Sequence, residues 1–523
     1  MSRFVRASKY RHVFGQAAKK EHALDNVKVS GSAWDTNLVA ASGSYVSLNW
    51  SSSGGGAFAI LPLPSPFRTI QVPSKLPDII PLARSHSGTV LDTAWSPFND
   101  SVVASCGEDG KVMIWKVEAS SFEGWGQEHW VPQDFDPVAR IDGSARRIGQ
   151  VLFHPTAEHV LAAASGDHVV KLWDLGNPET PKSVLGGHGD AIQSLTFNAV
   201  GNVLVTTCRD RKVRLFDPRS GGDPVRVADG HGGIKGARVV WMGEKDTFAT
   251  TGFSKMSDRQ VAIWDAGSLT TPKMITLDQS SGVVMPFWSD NGILFLAGKG
   301  DGNIRYYEYE SDSLFALSEH KSSDPQRGMC FLPRRSLEVT ECEIARAYKV
   351  TASAIEPIAF IVPRKSDSFQ SDIYPPAPSS EPSLTAGEFF SGKEPTLKLV
   401  SLEDGAVSTS TTAPPKTPAF VESPVLSRST SLATPVSAAP APAPAPEVRE
   451  PISARREPTF SPPPIISLPS PHTTEEVATL RDENSKLNSE LREARAQIRN
   501  LELQVEAVRA NARKAAQLLS SDV

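Results

Sequence analysis

An aspartate stands six positions before an aromatic residue that closes an apolar run five times between residues 100 and 310: Asp109/Trp115, Asp167/Trp173, Asp210/Phe216, Asp258/Trp264 and Asp301/Tyr307. Successive aromatics are 58, 43, 48 and 43 residues apart. Two of them are followed by aspartate (Trp173-Asp174 and Trp264-Asp265), and Phe216-Asp217 is a softened copy. A unit of roughly 40–45 residues ending this way is the signature of a WD-repeat β-propeller blade. The segments SVVASCGEDGKVMIW, HVLAAASGDHVVKLW, NVLVTTCRDRKVRLF and GILFLAGKGDGNIRYY each join an apolar run to a second run through a Gly/Asp turn, the pattern of an antiparallel hairpin. An earlier blade fits residues 28–63, and 346–363 and 396–402 supply candidate strands after the last clear repeat. That leaves room for six or seven blades, and ring closure favours seven.

Two further regions follow a propeller expected over 1–403. Sixteen of the 41 prolines fall between 411 and 472, so 404–473 reads as a disordered Pro/Ser/Ala-rich linker that cannot bury enough apolar surface to fold. Its Ser-Pro and Thr-Pro steps, Thr417-Pro418 among them, suit proline-directed phosphorylation or plain linker composition about equally. From 474 to 523 a heptad seam runs without proline or glycine. Leu480, Leu487, Leu501 and Val508 take d positions; Asn484, Leu491, Ile498 and Val505 take a positions. Glu476 with Arg481 and Glu490 with Arg495 fall at g and the following e, as parallel strands pair. A homo-oligomeric coiled coil of about 65 Å is expected.

The remaining signals are mostly exclusions. The net charge of −5 is no nucleic-acid footprint, although residues 1–20 carry six basic side chains and no acidic one. Cys106, Cys208, Cys330 and Cys342 lack metal or disulfide spacing, and no metal or other cofactor is expected. The first residues lack a signal peptide's apolar stretch, and no run of 18 apolar residues predicts a transmembrane segment, so the reading is cytoplasmic. His86, Ser105, Asp109 and Trp115 resemble a hydrolase triad with an aromatic neighbour, but His188, Thr206, Asp210 and Phe216 repeat the arrangement in another blade. An enzyme seldom needs one triad per blade. A hydrogen-bonded tetrad holding each blade together is expected, and no enzyme. Phe216 has no indole N–H, so its blade should be less tightly tied.

Beyond the repeats, FVRASKYRHVFGQ at 4–16, TTGFSKMSDRQVAIWD at 250–265, DPQRGMCFLPRRSLEV at 324–339 and VPRKSDSFQSDIYPP at 362–376 resemble signature segments of the coronin family, of the short single-propeller type seen in fungi. The resemblance implies a seven-bladed propeller that binds actin filaments, with the last two segments in an extension that packs back on it. It further implies cross-linking through the coil, restraint of the branch-nucleating actin-related-protein complex, cooperation with cofilin-type severing factors, and residence in cortical actin patches that serve endocytosis. A basic residue matching Lys28 is an actin contact in the family, and Arg3, Arg6, Lys9, Arg11, Lys19 and Lys20 join it as candidates. For Arg3, Arg6, Lys9 and Arg11 the alternative is a strand closing the last blade, with the basic groups paired locally. Two departures stand out: Ser144 replaces a blade histidine, and Gln497 replaces the arginine that leads a trimer motif in many coronin coils. Dimer and trimer both stay open. The competing function is a WD-repeat scaffold for a non-actin complex, in membrane traffic or microtubule linkage.

Overall fold

Each Gly/Asp hairpin forms the middle two strands of a four-stranded antiparallel blade. In the second blade the order from the channel outward is Val90–Trp95, Val102–Gly107, Lys111–Lys116 and Ala139–Asp142. The middle strands are buried almost end to end, because neighbouring blades cover both of their faces. They therefore read as apolar runs, while the outermost strand is largely exposed. This computed structural model describes residues 6–410, apart from 54–55, 65–72, 126, 128, 270–272 and 366–367, together with Lys486. The linker and the coiled-coil seam expected at 404–473 and 474–523 lie outside the described residues, save 404–410 and Lys486.

Seven such sheets form the ring. Their innermost strands are Val39–Ala41, Val90–Trp95, Ile148–Phe153, Ile192–Phe197, Arg238–Trp241, Val284–Ser289 and Gly328–Phe331, and the last packs beside the first. Six blades are built from consecutive sequence. The seventh is not: Gly328–Phe331, Glu343–Val350 and Ala354–Ile361 are completed by Phe14–Ala17 from the other end of the chain. The register runs from Phe14 opposite Ile361 to Ala17 opposite Ile358. Three expectations change here: the disordered linker read from 404 does not begin there, because Val407–Thr409 is a paired strand. Residues 396–402 lie outside the propeller, in a small sheet of Ala377–Pro378, Lys398–Val400 and Val407–Thr409. Residues 324–339, expected in the extension, instead supply the inner strand of the seventh blade. Only from Val362 does the chain cross the face carrying the first-to-second and third-to-fourth strand connections, here the lower face. There Phe389 of the capped helix Ala386–Phe390 packs 4.3 Å from the buried His154 ring.

The closing strand is pinned on both sides. Gly15 is needed because an added Cβ would lie 2.9 Å from His320 Cβ on the sixth blade's outer strand, Ser313–Lys321. Just before it, Tyr10 is 1% exposed, and its hydroxyl accepts from Asn291 Nδ2 at 3.3 Å.

Buried polar side chains tie individual blades. His86 Nδ1 lies 2.9 Å from Asp109 Oδ2, His86 Nε2 lies 2.7 Å from Ser105 Oγ, and Trp115 Nε1 donates to Ser105 Oγ at 2.8 Å. A neutral imidazole protonated on Nδ1 satisfies every link in that chain. Desolvation opposes charge on Asp109, but the hydrogen bond from His86 and two backbone N–H donors outweigh it and hold the carboxyl below its usual range. The second copy departs from expectation. His188 reaches Thr206 at 2.9 Å and stacks against Phe216, yet its Nδ1 faces the His168 carbonyl, not Asp210. Asp210 is taken instead by Arg214, four residues on and across the hairpin. A further set, His231–Thr250–Trp264, repeats the inner links in the fifth blade at 2.9 and 2.7 Å. In the third blade Ser144 stands in for the histidine by donating to Asp167.

Two consequences are measurable. Tyr10→Ala should cost about 3–5 kcal/mol, typical of a deleted buried aromatic, read as a lower denaturation midpoint with the blades' secondary structure retained. The second concerns acid. Desolvation, aided by Arg214, lowers the His188 pKa to about 4, whereas an unfolded histidine titrates near 6.5. Between those values the unfolded chain binds the extra proton, so stability is full above about pH 6.5 and falls by about 3 kcal/mol as the pH drops to 4. The denaturation free energy of His188→Gln should lose about one proton's worth of pH slope in that window.

Candidate interaction surface

The strand Phe14–Ala17 separates the basic residues of the first segment into two groups. Because it runs antiparallel to Ala354–Ile361, residues 6–11 lie by the Ile361 end, toward the lower face. Residues 18–28 lie by the Ala354 end, where Leu24 and Asp25 pair with Ile355 and Ala354. The basic arm is thus no single patch.

The lower group is mixed. Arg6 is bridged by Glu308 and Glu310, which raise its pKa, and lies over the Phe315 ring at 4.3 Å. Lys9 donates to the Asp372 carbonyl. Arg11 is exposed, and Arg3 lies outside the described residues. Local ion pairing, the alternative weighed from the sequence, describes Arg6; Lys9 is exposed and donates to a carbonyl, not a carboxylate.

The upper group is different. Lys19 is exposed and 4.0 Å from Glu21, a weak pair at that distance, and Lys20 is exposed. Lys28 is exposed, and its ammonium donates to the Asp78 backbone carbonyl at 3.1 Å. Among the described residues no carboxylate forms a direct ion pair with it, although the Asp78 carboxylate is held nearby by Asn26. Residues 25–29 are held by backbone pairing: Asp25 forms a backbone β-bridge with Lys75 and Val29 one with Trp50, and Asn26, with φ of 64°, donates to the Leu76 carbonyl. The next residue after Asp78 is Ile79, a large apolar side chain left 72% exposed. Lys19, Lys20, Lys28 and Lys75 therefore share the upper rim of blades 7 and 1 with an apolar anchor, a composition suited to protein recognition. Ile79 was missed in the sequence because it is 51 residues from Lys28 and lies in a long connection without periodicity.

Inward from that rim, Gly31–Asn37 covers the channel mouth. Trp34 Nε1 donates to the Gly149 carbonyl at 2.8 Å, Arg147 stacks on the indole at 4.4 Å, and Arg238 bonds Asp35 and Asn37. The segment bearing Lys28 is thereby fastened to blades 3 and 5 as well as to its own neighbours. Elsewhere the chemistry-bearing residues are structural: Ser105 is fully buried and its hydroxyl is committed to His86 and Trp115. Among the described residues no cluster of His, Cys, Asp and Glu could hold a metal ion, and no helix is long and apolar enough to cross a membrane.

Comparison with known proteins places this geometry. The family described as "WD domain, G-beta repeat" matches residues 80–116, 135–174 and 179–217, and "Type of WD40 repeat" matches 355–396. "Domain of unknown function (DUF1899)" matches 3–68, which spans both the closing strand and the Lys28 segment. The chain is 53% identical over 407 residues to Coronin-like protein crn1 of Schizosaccharomyces pombe, covering 76% of this chain and 65% of that one. It is 44% identical to the Coronin-like protein of Saccharomyces cerevisiae, covering 92% and 73%, and 44% identical to Coronin-A of Dictyostelium discoideum, covering 78% and 88%. The WD40 domain of Toxoplasma gondii coronin superposes with a TM-score of 0.67 at 28% identity, covering 75% of this chain and 97% of that one. On these matches, together with the seven closed blades, the chain belongs to the coronin family.

Proposed function

We propose that this protein binds actin filaments through the upper rim of blades 7 and 1, with Lys28 as the central cation and Ile79 as its apolar neighbour. The observation that carries the reading is the state of Lys28: an exposed ammonium, on a segment held by backbone pairing, answered by a carbonyl and no carboxylate. Family membership supplies the partner, since a basic residue at this position is an actin contact in coronins. Actin's surface is acidic, so Lys19, Lys20 and Lys75 steer encounter while the Lys28–Ile79 pair makes the contact.

The finer parts of the proposal rest on segments outside the described residues. The 474–523 heptads would join propellers into an oligomer, with 404–473 as the tether. Joined propellers meet repeated sites along a filament at an effective concentration up to about mM, which converts a weak binder into a cross-linker. Restraint of branch nucleation, cooperation with cofilin-type severing and a place in cortical actin patches complete the reading. It assigns no catalytic activity.

Co-sedimentation with filaments tests the core claim. Lys28→Glu should weaken binding about tenfold, equivalent to about 1.4 kcal/mol, with unchanged thermal unfolding because the side chain is exposed. Ile79→Asp should act in the same direction. Arg6→Ala should lower stability more than filament affinity. Equal pelleting of Lys28→Glu and the unaltered protein removes this rim as the site, and absence of pelleting by the unaltered protein favours the non-actin scaffold. Removing 474–523 should abolish bundling while leaving weaker single-filament binding.

A further inference from the structure

A cavity of about 590 Å³ opens on the lower face, between the propeller and the returning chain. That volume lies within the range of ligand-sized clefts. Its propeller wall comes from the lower strand ends of blades 5 and 6 and includes Trp241 and Trp288 of inner strands and Tyr309 of a third strand; its other wall includes Pro375, Pro376 and Leu397. Trp288 and Tyr309 meet edge to face with centroids 6.2 Å apart. Glu244 and Lys245 stand at the same cavity, with Lys245 5.7 Å from the Tyr309 ring centroid. Aromatic and proline walls with a few charges form the kind of groove that receives a polyproline II helix.

The chain itself leads to this groove. After Val407–Thr409, the Ser410 N–H donates to the carbonyl of Leu397 at 2.8 Å and its hydroxyl bonds the Glu244 carboxylate. Both partners line the cavity. The residues that follow are Thr411-Thr412-Ala413-Pro414-Pro415-Lys416-Thr417-Pro418-Ala419-Phe420. Pro415 and Pro418 have the PxxP spacing that polyproline grooves read, and Lys416 between them complements Glu244. Fully extended, the chain puts Pro414 no more than about 14 Å from Ser410. A segment tethered so closely samples the groove at about mM effective concentration, enough to populate even a weak docked state.

We propose that this groove is the docking site of the chain's own Ala413–Phe420 segment, and that phosphorylation of Thr417 releases it. A phosphate on Thr417 would bring two negative charges against the aromatic and proline walls and near Glu244, where desolvation and repulsion oppose docking; Asp290 is already paired with Arg334, and Lys245 offsets only part of the repulsion. The inference is independent of filament binding. It gives one of the linker's Thr-Pro steps a structural consequence.

Hydrogen exchange by mass spectrometry on the full chain tests it. Pro415→Ala/Pro418→Ala should speed exchange at least about twofold in peptides covering 240–246 and 397–400, because a segment docked half the time protects by that factor. Thr417→Glu should do the same, while Pro440→Ala/Pro442→Ala should not. A synthetic peptide of residues 411–425, added at millimolar concentration, should restore protection to the Pro415/Pro418 double variant. A benzophenone side chain at 420 should cross-link within the same chain to peptides holding Trp241 or Trp288. Unchanged exchange in the Pro415/Pro418 variant overturns the proposal, as do cross-links that form only between isotopically distinct chains. Protection lost equally in the 440/442 control overturns it too, since the effect would then not be specific to this segment.

Discussion

Four residues, Phe14–Ala17, join the two ends of a ring more than 300 residues long. Six blades would stand without them, but the seventh would expose residues 358–361 as an unpaired edge, the feature β proteins avoid most consistently. The pairing also fixes everything that follows it. From Ala17 the chain runs along the upper rim to Leu24–Asp25, still on blade 7, then to Val29 on blade 1, then across the channel mouth to Trp34 on blade 3. The proposed recognition residues thus lie on the seam itself. Lys28 and the Gly31–Asn37 segment follow directly from the closure, although neither belongs to the closing strand and both are also fastened to other blades.

Much of this was legible in the residues, for a geometric reason. An aspartate at the hairpin turn and an aromatic six residues on span the third strand of a blade, so the spacing measures a strand directly. It recurs wherever a blade does. The seventh blade has no such pair: its second and third strands, Glu343–Val350 and Ala354–Ile361, showed only as candidate strands within 346–363, and its fourth comes from the far end of the sequence. Phe14–Ala17 gives no strand signal either. It is mostly exposed, and only its hydrogen bonds place it. Residues 324–339 were assigned past the propeller for the same reason: nothing local distinguishes an inner strand from an extension.

The polar sites show where pattern reading stops. His86–Ser105–Asp109–Trp115 and His188–Thr206–Asp210–Phe216 are alike by spacing, yet one carboxylate serves a histidine and the other an arginine. The difference is Arg214, whose guanidinium is a stronger partner than a neutral imidazole. Buried beside Asp210, it also helps keep His188 uncharged. Likewise six cations within twenty residues suggested one basic patch, and a single strand pairing divided it. Charge can be counted in a sequence, but its direction is set by register.

Closure by the first strand also imposes an order in time. Residues 14–17 leave the ribosome before every other strand of the ring, while their partner, ending at residue 361, is synthesised 344 residues later. At about 5–20 residues per second that interval is roughly 17–70 s. Throughout it the leading segment has no blade to join, and the six consecutive blades are assembling as an open arc. The last pairing is therefore the longest-range one of the ring, made only once residue 361 has been reached, and a nascent chain halted before it carries the six consecutive blades without their closure.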